Sequence, residues 1–354
     1  MASDGKKKAI ALAVEGLNKR FGARTVIKLN DKQAIRGEVI PSSVPLFNVA
    51  LGVGGLPKKR IVEIFGQESS GKTTLALDFI AQCQAQGGVA GIVDVEHALD
   101  KDYAAKLGVD IDDLYLSQPD TMEDALEIVE GLVRAGTDLV VLDSVAAMSP
   151  KAEIEGDMGD SHMGLVARLM SQGLRKIGPT VSNSNSCVVF INQIREKIGV
   201  MFGNPETTPG GRALKFWSSI RIEVRSSKLT TGSYANNGSI QKIKIAKNKV
   251  APPFRSAEAH LIWGEGYDEF QVMMDAGVIY GAVTKGNSGW YTFGDQRINR
   301  GSWDGVRDVL KTLILELIED DLGSAACAVP GADTEVDETQ EEGETFNPEE
   351  HIKE

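Results

Sequence analysis

One stretch of eight residues, Gly66 to Thr73, has the residue types and the spacing needed to hold a phosphate chain. It reads Gly-Gln-Glu-Ser-Ser-Gly-Lys-Thr and matches G-x-x-x-x-G-K-S/T at every defined position. Glycines let the backbone curl so that successive N–H groups point at one anion, and the following helix adds the positive end of its dipole. Lys72 supplies a positive charge for the β- and γ-phosphates, and the Thr73 hydroxyl is a ligand for Mg²⁺. We therefore expect ATP and Mg²⁺ as cofactors, with nucleotide contacts from Gly66, Gln67, Glu68, Ser69, Ser70, Gly71, Lys72, Thr73 and Thr74.

Two carboxylates at predicted strand ends are candidates for the metal and for the water of a hydrolysis reaction. Asp143 follows the apolar run Leu139–Leu142, where an aspartate would hold Mg²⁺, through a water molecule. Glu96 follows the strand-like run Val89–Val95 and is the candidate general base. The plainer interpretation is that each is only a cap or an exposed carboxylate at the end of a strand.

The elements that must position these residues alternate between strands and helices from Gly52 to about Phe216. The apolar runs predict strands at Ile61–Phe65, Val89–Val95, Asp138–Leu142 and Cys187–Asn192. Helical patterns cover Thr74–Gln86, residues 121–135 after a cap at Thr121, and Gly164–Ile177, which Gly178-Pro179 should end. Strands alternating with helices predict an α/β core with a mostly parallel, twisted sheet flanked by helices, whose ligands bind at the carboxyl ends of the strands.

The two ends of the chain differ from this core. Residues 7–21 predict an amphipathic helix, and alternating residues in Ser218–Arg225 and Ser239–Lys247 predict an antiparallel hairpin. From about Glu269 we expect a small α+β module that ends in a helix, with Ser302 as its cap. The expected division is an N-terminal helical segment (1–33), an ATPase core (34–268), a small C-terminal domain (269–323) and a tail (324–354).

The charge of the chain is concentrated in that tail. The formal net charge is −12, and the residues from Glu319 to the end carry thirteen acidic side chains and one lysine, so the rest of the chain is neutral. A small, polar and acidic segment cannot bury enough apolar surface to fold, so the tail is predicted to be disordered. It is either a solubility device or a mobile anion that competes with another polyanion for basic residues on the body.

Composition excludes several classes of protein. Hydrophobic residues make up 42% of the chain, the proportion of a globular protein, yet no apolar run is long enough to cross a membrane. The three cysteines are far apart and odd in number, which indicates neither a disulfide framework nor a metal site. The simplest interpretation is a reducing, cytoplasmic location without membrane contact.

Long strings of the sequence resemble bacterial RecA recombinases. The strings are Gly66–Thr73, Asp94–Asp100, Ser117–Asp120, Leu142–Ala147, Glu153–Gly164 and Phe190–Thr208. The resemblance covers nearly the whole chain and is weakest toward the C-terminus. It implies a RecA-like P-loop NTPase that acts as an ATP-dependent homologous recombinase. Such a protein forms a helical filament of its own copies on single-stranded DNA, hydrolyses ATP between adjacent protomers, and pairs and exchanges strands with duplex DNA.

The resemblance also implies roles for individual residues. Lys72 and Gln193 would contact the γ-phosphate beside the general base Glu96, with Lys247 and Lys249 reaching the phosphate from the neighbouring protomer. Asp100 and Tyr103 match positions that contact the adenine. Glu155–Gly164 and Arg195–Gly210 match the first and second DNA-binding loops. The residues expected to contact DNA in or near these loops are Met163, Gly164, Arg168, Arg175, Arg195, Lys197, Ile198, Phe202, Gly210, Gly211 and Arg212.

Other interpretations remain open from the sequence. Arginines in surface loops and the two lysines at a strand end are often only solvated side chains. A filament could also be a regulatory scaffold that binds partner proteins. It would promote cleavage of a LexA-like repressor in the SOS response, and it would bind recombination mediators. A hexameric P-loop ATPase, such as a helicase or a clock-type kinase, shares the phosphate loop but not the two DNA-loop strings. The chain departs from the usual family pattern at Lys59, Gln67 and Pro209, where the first two replace a glycine and a proline.

Overall fold

The computed structural model of the protein describes residues 4–22, 25–26, 38–157, 164–196, 206–287 and 289–323, so the tail from residue 324 lies outside the described residues. The helices are α1 (Asp4–Phe21), α2 (Pro45–Leu51), α3 (Lys72–Ala85), α4 (Lys101–Lys106), α5 (Met122–Ala135), α6 (Lys151–Glu155), α7 (Leu165–Asn183), α8 (Ala213–Trp217), α9 (Glu269–Ile279) and α10 (Arg307–Gly323). The strands are β1 (Val39–Ile40), β2 (Leu56–Pro57), β3 (Ile61–Gly66), β4 (Ala90–Asp94), β5 (Leu114–Ser117), β6 (Leu139–Asp143), β7 (Cys187–Gln193), β8 (Arg195–Glu196), β9 (Glu206–Thr207), β10 (Ile220–Lys228), β11 (Gly238–Asn248), β12 (Ser256–Ile262), β13 (Gly266–Tyr267), β14 (Thr284–Lys285), β15 (Tyr291–Phe293) and β16 (Gln296–Ile298).

Nine of the strands in the described part of the chain form one central sheet, in the order β13-β12-β11-β10-β3-β7-β6-β4-β5. The six strands from β10 to β5 are parallel, and β11, β12 and β13 extend the sheet by antiparallel pairing. Every residue of β3, β4 and β6 is buried, because helices cover both faces of a parallel sheet. The predicted α/β fold with a mostly parallel sheet and a C-terminal hairpin extension is confirmed.

Two apolar layers lie on the two faces of the sheet. Successive residues of a strand point to opposite faces, so Leu139 and Val141 enter the layer under α3, whereas Val140 and Leu142 enter the layer under α5 and α7. The layer on the α3 side continues through α2 into the C-terminal module. The sheet is therefore supported from both sides at the strands that carry the phosphate loop and the candidate carboxylates.

Helix α7 is longer than the sequence predicts. The expected end at Gly178-Pro179 is wrong, since the helix runs through Pro179 to Asn183. Gly178 serves packing instead, because a Cβ at this position would collide with the indole ring of Trp217. Val181 anchors the last turn in the second apolar layer, and this burial offsets the backbone hydrogen bond that proline removes.

The C-terminal module consists of α9, the three-stranded antiparallel sheet β14-β15-β16 and α10. Asp268 caps α9 by accepting a hydrogen bond from the Gln271 N–H, and it also pairs with Arg300. The predicted cap at Ser302 is wrong: residues Trp303–Gly305 form a 3-10 turn, and the Ser302 hydroxyl accepts a hydrogen bond from the Asn299 N–H at 3.0 Å.

Helix α1 carries an apolar surface that the described part of its own chain does not cover. Ile10, Leu12, Leu17 and Phe21 are all exposed, Leu12 at 70%. Asn18 is tied to Val26 through two hydrogen bonds, of 3.1 and 2.8 Å, just beyond the end of the helix. Among the described residues, no helix is both long and apolar enough to span a membrane.

Lys59 adopts the backbone conformation that glycine would adopt more easily. Its φ is +65°, and its N–H donates to the carbonyl of Ser186 at 2.7 Å. The turn before β3 is thus kept without its usual glycine, at the steric cost of a Cβ in the left-handed region.

Candidate nucleotide site and DNA-facing loops

The carboxyl ends of four neighbouring strands meet at one edge of the sheet. In the register of the sheet, Gly66 at the end of β3 pairs with Gln193 at the end of β7. Asp94 at the end of β4 pairs with Asp143 at the end of β6. Because β3, β7, β6 and β4 are adjacent, these residues form one row. A row of this kind is where an open parallel sheet binds its ligands.

The phosphate loop connects β3 to α3, as the motif requires. Two of its residues have a positive φ, Ser69 at +57° and Gly71 at +85°, and Gly71 is the N-cap of α3. Lys72 is buried and donates from Nζ to the carbonyl oxygen of Gln67 at 2.7 Å, so the ammonium lies within the curl of the loop. Burial lowers the pKa of Lys72, although nearby carboxylates, chiefly that of Asp143, act to raise it.

Thr73 and Asp143 form a corner made of oxygen ligands. The Thr73 hydroxyl donates to Oδ2 of Asp143 at 2.6 Å. Burial raises the pKa of Asp143 to about 6, the Thr73 hydrogen bond opposes this rise, and Glu96 and Asp94 add to it. A buried carboxylate without a full counter-charge, beside a hydroxyl, fits a hard divalent cation such as Mg²⁺.

Glu96 is exposed, and its carboxylate bonds to Gln193 and to Ser144, the residue after Asp143. Its Oε1 accepts a hydrogen bond from Gln193 Nε2 at 3.2 Å and a short one from the Ser144 hydroxyl. The N–H of Val95 donates to the carbonyl of Asp143 at 2.7 Å, which fixes the end of the segment that carries Glu96. The structure thus brings together Lys72, Glu96 and Gln193, the catalytic residues expected within one chain.

Asp94 and Gln118 also support the site, although no role was assigned to either from the sequence. Asp94 is 3% exposed, and its Oδ2 accepts from the Leu99 N–H at 3.1 Å and from Gln118 Nε2 at 3.0 Å. These bonds hold the segment between Glu96 and α4. The signal that could have marked Asp94 is its position at a strand end, next to the expected base.

The two residues expected to contact the adenine lie on or before α4. Asp100 caps this helix by accepting hydrogen bonds from the N–H groups of Asp102 and Tyr103. The Tyr103 hydroxyl lies 3.0 Å from the hydroxyl of Thr74 on α3, and burial raises the pKa of the phenol. Tyr103 is therefore beside the phosphate loop, whereas the Asp100 carboxylate is used in local capping.

The segment expected to form the second DNA loop is joined at both ends to this row of strand ends. Arg195 pairs with Thr207 in the small ladder between β8 and β9, which closes the base of the loop two residues after Gln193. Asn192 is fully buried and donates from Nδ2 to the carbonyl of Pro209 at 3.2 Å, so the far end of the loop returns to the same strand.

Two glycines join the second loop to the helix that follows the first. Gly210 and Gly211 have φ values of +81° and +74°. A Cβ on Gly210 would lie 3.0 Å from Val145, and one on Gly211 would lie 2.9 Å from the Cβ of Ala167 on α7. This close approach needs glycine, and it brings the end of the second loop beside the beginning of α7, where Gly164 is the N-cap.

The described basic residues of these loops are exposed. Arg168, Arg175, Arg195 and Arg212 all reach solvent, and Arg175 donates from Nε to the carbonyl of Ser171 at 3.1 Å. Arg168 and Arg175 are seven residues apart on α7 and share a face. Four further expected DNA contacts lie outside the described residues, namely Met163, Lys197, Ile198 and Phe202.

Lys247 and Lys249 are not at the phosphate loop of their own chain. Gly66 pairs with Val224, which pairs with Ile243, so Lys247 lies four residues farther along β11, toward the opposite edge of the sheet. That separation is about 13 Å along the strands and about 10 Å across them. Lys247 Nζ donates to the carbonyl of Lys215 at 2.5 Å, and Lys249 Nζ donates to that of Phe216 at 3.3 Å. Burial, together with Lys249, lowers the pKa of Lys247.

Comparison with known proteins agrees with this geometry. Residues 8–268 match the family model described as RecA N-terminal domain. The chain belongs to the RecA family. A relative named Protein RecA from Methylococcus capsulatus is 54% identical over 310 residues, which cover 87% of this chain and 89% of that protein. A protein of the same name from Francisella tularensis subsp. novicida is 52% identical over 324 residues, covering 88% and 90%.

Membership of the RecA family confirms two expectations from the sequence. The protein is a RecA-type recombinase, and it is a DNA-dependent ATPase that binds nucleotide and DNA. The alternative of a ring-forming helicase or clock-type kinase loses its main support, because the match extends through both DNA-loop strings.

Proposed function

We propose that ATP binds at Gly66–Thr73 and is hydrolysed at the row of strand ends beside this loop. In this assignment Lys72 holds the β- and γ-phosphates, while Thr73 and Asp143, the latter through water, hold Mg²⁺, which would neutralise phosphate charge. The observation that carries the proposal is the hydrogen bond of 3.2 Å between Gln193 and Glu96, which joins the expected sensor of the γ-phosphate to the expected base.

Glu96 is the general base in this proposal. Both of its donors, Ser144 and Gln193, bond to Oε1. We assign the proton of the attacking water to Oε2, which has no partner among the described residues. The Ser144 hydroxyl orients the carboxylate, and the backbone of Val95 fixes its origin. Proton transfer to a positioned carboxylate of this kind contributes about 10²–10⁴-fold to a rate.

Gln193 couples the nucleotide to DNA. It occupies the last position of β7, two residues before the ladder that closes the second DNA loop. A γ-phosphate that attracts the Gln193 amide draws it away from Glu96, which frees the base and shifts the loop at the same time. The arginines near the loops, with Lys197, then hold phosphates without reading sequence. Met163, Ile198 and Phe202 enter between bases.

The site is completed by a neighbouring copy of the chain. Lys247 and Lys249 are at the opposite edge of the sheet from the phosphate loop, as a heterologous seam between protomers requires. The backbone carbonyl of Phe216 accepts from both lysines, the Phe216 residue is 70% exposed, and α1 carries exposed apolar residues. These surfaces support an open helical filament, with Asp100 and Tyr103 beside the adenine of each bound nucleotide.

Complementation between two inactive variants tests the shared site. Lys72→Ala and Lys247→Ala should each nearly abolish turnover stimulated by single-stranded DNA. In an equal mixture, about a quarter of the seams combine an intact loop with an intact lysine, so about a quarter of the activity should return. Mixed filaments as inactive as either variant would contradict a site shared between two copies, and a fully active Lys247→Ala variant would exclude Lys247 from the site. ATP turnover that is equally fast without DNA would contradict the proposed coupling through Gln193.

Strand exchange and the shape of the assembly test the wider assignment. Three-strand exchange should require ATP, and electron microscopy with DNA and a slowly hydrolysed ATP analogue should give open filaments. Closed rings would support the hexameric alternative. The proposal includes the division of the chain after residues 33, 268 and 323. It also includes a location in the reducing cytoplasm, with which the free thiols of Cys83 and Cys187 are consistent.

Partner proteins are inferred from the family resemblance. The filament would bind recombination mediators and promote cleavage of a LexA-like repressor in the SOS response to DNA damage. Incubation of the assembled filament with such a repressor tests the second role. A repressor that stays intact while strand exchange proceeds would dismiss it.

A further inference from the structure

A glutamine on the neighbouring antiparallel strand lies directly beneath the phosphate loop. Gln241 of β11 is 0% exposed, and its Nε2 lies 3.2 Å from the carbonyl oxygen of Ser70 and 3.0 Å from that of Gly71. Its Oε1 accepts a hydrogen bond of 2.5 Å from the Tyr267 hydroxyl. The two carbonyls can only accept, so the amide nitrogen must face the loop and the amide oxygen must face the tyrosine.

The carbonyls that Gln241 holds belong to the peptide groups whose N–H groups would face a phosphate in the proposed nucleotide site. In a trans peptide the C=O and the N–H point in opposite directions. Holding the carbonyls of Ser70 and Gly71 on the sheet side therefore turns the N–H groups of Gly71 and Lys72 toward the inside of the loop. The Gly71 carbonyl also accepts from the Leu75 N–H at 3.0 Å in the first turn of α3, so Gln241 is a second donor to Gly71 and the side-chain donor to Ser70. Without Gln241, the Ser70 carbonyl would lose its hydrogen bond beneath the loop.

The contact between the amide and the loop is tight. A Cβ on Gly71 would collide with Nε2 of Gln241, and it would lie 3.4 Å from Leu261. The loop therefore rests on this side chain, and only a residue without a Cβ fits between them.

Tyr267 holds the amide in its orientation. Its ring packs edge-on against Phe47 of α2, with centroids 5.8 Å apart and an interplanar angle of 88°. Burial raises the pKa of its phenol well above the usual value, so the hydroxyl stays a donor at physiological pH. The next residue, Asp268, caps α9, so the anchor of the amide belongs to the strand through which the C-terminal module joins the sheet.

We propose that Gln241, held by Tyr267, is a positioning residue for the nucleotide: it orients the peptide groups of Ser70 and Gly71 and thereby sets the affinity of the loop for a polyphosphate. The inference rests on the proposed assignment of Gly66–Thr73 as the nucleotide site.

Steady-state kinetics and binding of a fluorescent ADP analogue to the full-length chain test this role. Gln241→Met keeps the volume and removes all three hydrogen bonds, so we expect KM for ATP and the Kd for the analogue to rise about tenfold. Tyr267→Phe removes only the bond that orients the amide, and we expect about a threefold rise. The control is Ile245→Val, which shortens another fully buried side chain of β11 and should lower stability without changing KM.

The pH profile of Gln241→Glu separates orientation from packing. The neutral carboxylic acid can donate to a loop carbonyl, whereas the carboxylate can only repel it. Binding of the analogue to this variant should therefore strengthen by about tenfold or more between pH 8 and pH 6, relative to the unsubstituted chain. A flat relative profile, or a Gln241→Met variant with unchanged KM and Kd, would overturn the inference. Normal turnover by Lys72→Ala would instead overturn the site assignment, so the two failures are distinguishable.

Discussion

Replacing Asp143 by asparagine should stabilise the nucleotide-free protein while abolishing its Mg²⁺-dependent turnover. Asp143 is 7% exposed, and its pKa is raised from 3.8 to about 6, with burial as the largest cause. The carboxylates of Glu96 and Asp94 add to the rise, whereas Thr73 and Lys72 oppose it. The ionised carboxylate therefore destabilises the folded chain until a cation is bound.

The size of this effect follows from the change in pKa. A rise from 3.8 to about 6 corresponds to about 3 kcal/mol, at about 1.36 kcal/mol per pH unit. The folded chain holds the proton more tightly than the unfolded chain, so the destabilisation is absent below about pH 3.8 and complete above about pH 6. Asparagine keeps an oxygen for the Thr73 hydroxyl and carries no charge. Asp143→Asn should thus gain about 3 kcal/mol of unfolding free energy at pH 7.5 but only about 1 kcal/mol at pH 4.5.

Urea unfolding without nucleotide or divalent cations, at both pH values, measures the gain. The control is Asp113→Asn, an exposed aspartate away from the site, which should change stability little at either pH. Turnover of Asp143→Asn is assayed in parallel with single-stranded DNA. A variant that is less stable at pH 7.5, or one whose gain is the same at both pH values, would refute the reasoning from burial.

Three further predictions concern the base, the turn before β3 and the tail. Glu96→Gln keeps the neighbours Ser144 and Gln193 but cannot take a proton, so kcat should fall about 10²–10⁴-fold while ATP binding persists; single-turnover hydrolysis at full kcat would reject Glu96 as the base. Lys59→Gly should add about 1 kcal/mol of unfolding free energy, because a φ of +65° favours glycine; a lower urea midpoint would contradict this. Deleting residues 324–354 should strengthen duplex binding across a salt titration, because a competing anion is removed; an unchanged titration would reject the tail as a competitor.

The nucleotide edge of the site could be predicted because its information is local. The phosphate loop is a contiguous string, and Asp143 and Glu96 each follow a run that predicts a buried strand. Parallel strands then bring their carboxyl ends to one edge without any further knowledge of the fold.

Gln241 could not be found in this way because it reaches the loop across the sheet. Gln241 lies on β11, which pairs with β10 as an antiparallel hairpin and carries no sequence motif. Only the register of β3, β10 and β11 brings Gln241 beneath the loop. The predicted end of α7 was wrong for a related reason. Glycine and proline carry a local preference for ending helices, and packing of Trp217 against Gly178 overrides it. Long-range packing of this kind leaves no local pattern.

The bare apolar surface of α1 has a consequence for how the protein behaves in dilute solution. Because another copy of the chain would cover this helix in the proposed filament, the melting temperature should rise with total protein concentration. Dilution would then leave the exposed apolar side chains of α1 in water, so losses of protein by adsorption to vessel walls would be greatest in the most dilute solutions. Copies bound side by side on a DNA strand would cover this surface of α1 even where the bulk protein concentration is low.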